Sequence, residues 1–91
     1  MKNEEKTKAK VVIYTMWFCP YCMMAKRLLK KKGVSYKEIS VSLRKNVWAE
    51  MEKLSGRNTV PQIFINDESV GGYDDISALN TIGELDQKLG L

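Results

Sequence analysis

Residues Lys10 to Lys32 read KVVIYTMWFCPYCMMAKRLLKKK, and the change of pattern inside that stretch decides the architecture. Lys10 to Thr15 is a β-branched, apolar run, the pattern of a buried strand. From Pro20 to Lys32 the period changes: Cys22, Ala25, Leu28, Leu29 and Lys32 recur at helical spacing, with Lys26, Arg27, Lys30 and Lys31 largely on the other face. Gly33 supplies a stop after a lysine-rich last turn that suits the negative end of the helix dipole. A strand therefore runs into a helix through Met16, Trp17, Phe18 and Cys19.

Working outward, Ser35 to Ser40 (SYKEIS) predicts a second strand, and a helical crossover of about a dozen residues makes it parallel to the first. Ser42 is placed to cap a second helix running through Leu54, with Val47, Met51 and Leu54 at helical spacing and a stop at Ser55 and Gly56. Gln62 to Asn66 and Ser69 to Gly71, joined by Asp67 and Glu68, read as a hairpin. Asp74 and Asp75, following Gly71 and Gly72, form the acidic opening of a third helix over Ile76 to Thr81, and a short last helix over Ile82 to Leu89 closes the chain. The order β-α-β-α-β-β-α predicts an α/β sandwich around a four-stranded mixed sheet, consistent with a thioredoxin-like fold.

The chain of 91 residues, 44% hydrophobic and 29% charged, fits one ordinary globular domain and excludes a disordered or collagen-like chain. The expected division is a flexible basic tail over residues 1–9 and a single domain over 10–91. No apolar run approaches the roughly 18 to 20 residues that span a bilayer, and no signal-peptide core follows the first lysines, so a soluble cytoplasmic protein with no membrane partner is expected. Residues 1 to 37 carry a balance of +8 and residues 38 to 91 a balance of −4, within a net +4. Lys2, Lys6, Lys8 and Lys10 resemble a basic arm, but Glu4 and Glu5 interrupt them and no aromatics interleave, so a solvated terminus is preferred to a nucleic-acid contact.

Only two cysteines are present, Cys19 and Cys22, and there is no histidine. Neither a disulfide framework nor the usual structural zinc sets can be assembled from them within one chain, which leaves a lone Cys-x-x-Cys and redox chemistry. Cys19 is the natural N-cap, with Pro20 at the first helical position, where its missing N–H costs nothing. Unpaired N–H groups and the positive end of the helix dipole there favour thiolate at Cys19, the expected nucleophile. Cys22 lies one turn in, further from solvent, and is the expected resolving thiol.

Cys19-Pro20-Tyr21-Cys22, Thr59-Val60-Pro61-Gln62-Ile63-Phe64-Ile65 and Gly71-Gly72-Tyr73-Asp74-Asp75 resemble, in order, the three signatures of small bacterial-type dithiol glutaredoxins. The resemblance runs from about Val11 to the C-terminus. It implies a glutathione-dependent disulfide oxidoreductase, with glutathione as cosubstrate, no tightly bound cofactor and no metal. It also implies a cis bond before Pro61 that exposes the Val60 backbone beside Cys19, so that Val60 pairs with the cysteine backbone of glutathione like a short added strand. Gly72, Tyr73, Asp74 and Asp75 correspond to the clamp for its γ-glutamyl end. There the amides opening the third helix take the α-carboxylate, the Asp75 side chain takes the α-ammonium, and Asp74 contributes its backbone N–H. Tyr21 would line the groove, Thr59 would add a backbone or hydroxyl contact, and Arg57 is the candidate for the glycine carboxylate.

One position departs from the family's pattern. Many members carry a lysine three residues before the nucleophile, where this chain has Met16. Lys26, Arg27 or Arg57 would replace that charge only in part, and Met16, Trp17 and Phe18 make the approach to Cys19 apolar. Trp17 and Phe18 read either as a docking surface for a protein substrate or as packing against the helix. The expected partners are glutathione and glutathionylated or disulfide-containing proteins, met by a monomer. Two other activities fit the fold: a thioredoxin-type disulfide reductase, and a carrier that holds a [2Fe-2S] cluster between two chains through the first cysteine and glutathione.

Overall fold

The computed structural model describes residues 9–91, so the expected tail falls outside the described residues except for Ala9, which packs against the core. Strand β1 (Val11–Thr15) occupies an interior position in a four-stranded sheet of order β2-β1-β3-β4, between β2 (Lys37–Ser40) and β3 (Gln62–Ile65), with β4 (Glu68–Gly71) at the far edge. β1 runs parallel to β2, with Val12 opposite Lys37, and antiparallel to β3, with Val12 opposite Phe64. The β3–β4 pairing is antiparallel and irregular between Ile63 and Phe64.

The absence of alternation in β1 has a direct cause. Side chains along a strand point to opposite faces in turn, and both faces of this strand are covered. Val11 and Ile13 join Ile63 and Ile65 on one face, packed against Ala25 and Leu29 of α1 (Pro20–Lys31), Ile76 of α3 (Tyr73–Thr81) and Leu85 and Leu89 of α4 (Glu84–Leu89). On the opposite face Tyr14 and Phe64 meet edge to face, with ring centroids 5.7 Å apart, beneath Val47 and Met51 of α2 (Lys45–Ser55). Burying one such aliphatic side chain contributes about 1.5–3 kcal/mol, so the two clusters hold the sheet between its helical layers. Among the described residues, no helix is long and apolar enough to cross a membrane.

Several expected boundaries move for local reasons. Ser42 does not cap α2: its Oγ accepts from the Trp17 N–H at 2.8 Å, and Arg44 occupies the N-cap without a side-chain capping bond. The helix begins at Lys45, after Leu43 in a left-handed conformation. The hairpin turn is Asn66-Asp67 rather than Asp67-Glu68, with both residues at positive φ as a tight turn requires. Helix α3 begins at Tyr73, three residues before the expected start, because Gly72 serves as its N-cap and brings both aspartates into the first turn. The expected last helix is present as α4 and ends at Leu89 as read, but it starts at Glu84 rather than Ile82, because Gly83 at φ +83 interrupts the chain between α3 and α4.

Candidate active site

Cys19 sits at the junction read from sequence. Its backbone is extended (φ −108, ψ 105), Pro20 opens α1, and the Cys19 carbonyl accepts the Met23 N–H at 3.1 Å. Its sulfur accepts the Cys22 N–H at 3.2 Å, taking the role a serine or aspartate oxygen would fill at an N-cap. Cys19 Sγ is partly exposed and lies 4.0 Å from the Val60 carbonyl oxygen. Cys22 is 2% exposed. Burial, and after it the Cys19 sulfur, push the Cys22 thiol up to about 12. Two thiols three residues apart thus have different surroundings, Cys19 at a helix terminus and partly exposed, Cys22 buried against the core.

Beside Cys19 lies a cleft of about 250 Å³ lined by Tyr21, Arg57, Thr59, Val60, Pro61, Gly72, Tyr73, Asp74 and Asp75. All the ligand-binding residues expected from sequence therefore meet in one place, although they come from α1, the α2–β3 loop and the start of α3. The Val60–Pro61 peptide is cis. Tyr21 and Tyr73 face each other across the cleft, with ring centroids 6.4 Å apart. A larger open groove of about 650 Å³ runs over the other face of the sheet past Val12, Ile39 and Phe64. It contains neither thiol, so chemistry rather than size locates the site.

Asp75 is already engaged. Its Oδ2 accepts the Gly72 N–H at 2.9 Å, closing the first turn of α3, and accepts Arg57 Nη1 at 2.9 Å. The Gly72 N–H and, after it, the Arg57 guanidinium hold the Asp75 carboxyl below the usual carboxylate range. The loop bearing Arg57 is fixed by Ser55, whose Oγ accepts the Arg57 N–H at 3.0 Å and lies 2.7 Å from the Met51 carbonyl. Arg57, the candidate contact for the glycine carboxylate of glutathione, lines the cleft and pairs with Asp75 through Nη1.

The approach to Cys19 is apolar, as Met16, Trp17 and Phe18 imply. Phe18 is 98% exposed and adopts φ +57, a conformation that costs a bulky residue about 1–2 kcal/mol, so packing against the helix does not account for it. Of the three cations considered as replacements for the missing lysine, Lys26 is paired with Glu38 and Arg57 with Asp75.

Sequence reasoning missed the polar residues under the site. Gln62 is 1% exposed, and its Nε2 donates to Thr59 Oγ1 at 3.2 Å, which fixes that side chain at the cleft. Thr15, also buried, donates from Oγ1 to Glu38 Oε2 at 2.7 Å. The signal in both cases is a polar residue at the end of an apolar strand, Thr15 closing β1 and Gln62 opening β3, which needs a partner when buried.

The family model described as Glutaredoxin matches residues 11–70. The chain is 51% identical over 81 residues to Glutaredoxin 3 of Escherichia coli K12, a match covering 89% of this chain and 98% of that one. The solution structure of glutaredoxin from Brucella melitensis superposes with a TM-score of 0.79 at 51% identity, covering 88% of this chain and 87% of that one. The buckwheat glutaredoxin–glutathione complex gives 0.83 at 26% identity, covering 90% and 77%. With the thioredoxin-like sheet, the paired thiols and these likenesses together, the chain belongs to the glutaredoxin family of thiol-disulfide oxidoreductases.

Proposed function

We propose that the cleft beside Cys19 binds glutathione and that the protein reduces glutathionylated mixed disulfides and protein disulfides through Cys19, with Cys22 as the resolving thiol. The observation that carries this reading is the convergence of the ligand-binding residues on a cleft whose Val60 wall lies 4.0 Å from the Cys19 sulfur. A tripeptide thiol laid along Val60 directs its own sulfur toward Cys19. The N–H groups of Tyr73 and Asp74, which have no carbonyl partner within α3, take the α-carboxylate of glutathione. Asp75 takes the α-ammonium through Oδ1, since the hydrogen bonds of that carboxylate among the described residues use Oδ2. The rest of the Arg57 guanidinium remains for the glycine carboxylate, while Tyr21, Thr59, Pro61, Gly72 and Tyr73 shape the walls.

In the one-cysteine route the Cys19 thiolate attacks the glutathione sulfur of the mixed disulfide and the substrate thiolate leaves. A second glutathione thiolate then attacks the glutathione sulfur on Cys19, releasing glutathione disulfide and restoring Cys19. With a protein disulfide, Cys19 attacks one sulfur and the other leaves as a thiolate; Cys22 then attacks Cys19, releasing the second substrate thiolate and closing the internal disulfide, which two glutathione molecules reduce with release of glutathione disulfide. These steps need one copy of the chain and no tightly bound cofactor, and they fit a monomer in a reducing compartment such as the cytoplasm. Phe18 and Trp17 flank Cys19 as a contact surface for protein substrates. Glutathione-dependent reduction of a small glutathionylated disulfide tests the reading. Turnover should saturate with glutathione; turnover sustained only by a flavoprotein thioredoxin reductase would replace it with a thioredoxin-type activity.

A further inference from the structure

The resolving step places a demand on Cys22 that its surroundings oppose. The attacking species is a thiolate, yet Cys22 is 2% exposed and its thiol is pushed up to about 12. Some nearby group has to favour the ionised sulfur when the internal disulfide closes.

Lys26 is four residues beyond Cys22 on α1, the spacing that stacks two side chains on one helix face. Both residues line a cleft of about 260 Å³ between α1 and the strands, together with Cys19 and Glu38. Lys26 is not a loose surface cation: Nζ donates to Glu38 Oε2 at 2.9 Å, and the same oxygen accepts from the buried Thr15 at 2.7 Å. A strand threonine thereby fixes a strand glutamate, which fixes the helix lysine over the cleft. The charged and titratable groups facing Cys22 are Cys19 and Lys26 from α1 and, across the cleft, Glu38 from β2, while the Met16 backbone approaches from the β1–α1 loop. Glu38 is ill suited as a base, because Lys26 and then Thr15 hold its carboxyl below the usual range. Against the larger effect of burial, the Met16 backbone and, after it, the Lys26 charge draw the Cys22 thiol downward; of the two, only Lys26 is a side chain that can be exchanged.

We propose that Lys26, held in place by Glu38 and Thr15, is a positioning residue for the two-cysteine route, its ammonium stabilising the Cys22 thiolate that closes the disulfide with Cys19. Cys22 gives its proton to solvent through the cleft and its thiolate attacks Cys19 Sγ. The bond between Cys19 Sγ and the substrate sulfur breaks, and the departing thiolate takes up a proton. The substrate sulfur is reduced and the cysteine pair is left as a disulfide. The inference rests on the assigned roles of Cys19 and Cys22 but not on glutathione binding.

The test uses the reduced full chain and dithiodipyridine, a neutral aromatic disulfide. Attack by Cys19 releases one thiopyridone in a first phase, and closure by Cys22 releases a second, with Cys22→Ser identifying the phases by losing the second. Lys26→Met should slow the second phase severalfold at neutral pH and move its pH profile upward, the direction that loss of a cation beside a thiolate requires. Lys26→Arg should restore both, and the first phase should stay within twofold throughout. An unchanged second phase and pH profile in Lys26→Met would overturn the proposal, as would equal slowing of both phases. A normal pair of phases in a protein that fails to turn over with glutathione would sink the glutathione reading alone.

Discussion

The Cys22 backbone N–H donates to the Cys19 sulfur at 3.2 Å, while the Cys22 sulfur itself is withdrawn into the core. The same helical turn therefore supports one thiol as an acceptor at a helix terminus and keeps the other protonated. Cys19→Ser should reduce turnover of a glutathionylated substrate to background. Cys22→Ser keeps the backbone N–H and should retain that turnover while losing protein-disulfide reduction. Steady-state rates on both substrates check the asymmetry, and a Cys22→Ser protein as inactive as Cys19→Ser would exclude the one-cysteine route.

Asp75 closes the first turn of α3 and, in the proposed function, also meets the ligand. Asp75→Asn weakens the acceptor for the Gly72 N–H and removes the charge facing Arg57 and the incoming ammonium. The KM for glutathione should rise about tenfold with a smaller change in kcat, the pattern of lost binding rather than lost chemistry. The carboxyl is held low in the native state, so its contribution to stability is complete above the unfolded value near pH 4 and is lost as pH falls through the native value. Urea midpoints of wild type and Asp75→Asn should accordingly converge on acidification. Parallel curves from pH 6 to pH 3 would show that the carboxylate contributes nothing through this pair.

The legibility of this fold in its sequence followed the distance over which each signal acts. The strand-to-helix turn at Cys19 was legible because Pro20, the helical period and the lysine-rich last turn all lie within one continuous twelve-residue helix. The cap of α2 was not: Ser42 had an equally good partner in the Trp17 N–H, 25 residues away, and only the packed sheet brings that group within reach. The same limit explains Arg57. Its place beside the cleft was readable from the motifs, whereas its bond to Asp75 depends on how the α2–β3 loop folds over α3. Thr15, Glu38 and Lys26 lie on three separate elements, and nothing local in the sequence joins them.

Alkaline stability should report the burial of Cys22. The native thiol ionises near 12 against an ordinary value of 9.0, so its contribution is fully present below about pH 9 and is lost as pH rises from 9 toward 12. Over that range the wild type should lose stability relative to Cys22→Ala by up to about 1.4 kcal/mol per pH unit, the limit for one proton. Urea unfolding of the reduced proteins between pH 8 and about 10.5 measures the difference. An unchanged gap between the two across that interval would place the Cys22 sulfur in contact with solvent.

Gly71 should prove the least replaceable glycine, for a reason that joins the fold to the site. It ends β4 at φ +104, and a Cβ built there overlaps the Asp75 carboxylate and sits 2.8 Å from Asp75 Cβ. In Gly71→Ala the first turn of α3 has to shift, which separates Asp75 from the Gly72 N–H and from Arg57. Gly33 is the control: it adopts φ +77, but nothing lies within 4 Å of its added Cβ. Gly33→Ala should cost about 1 kcal/mol from backbone conformation alone and leave the KM for glutathione unchanged. Gly71→Ala should cost about 2–3 kcal/mol and raise that KM as Asp75→Asn does. Chemical unfolding and steady-state kinetics on the two variants separate the contributions. Equal losses of stability with an unaltered KM would mean that the close approach of Gly71 to Asp75 does not hold the proposed γ-glutamyl clamp in place.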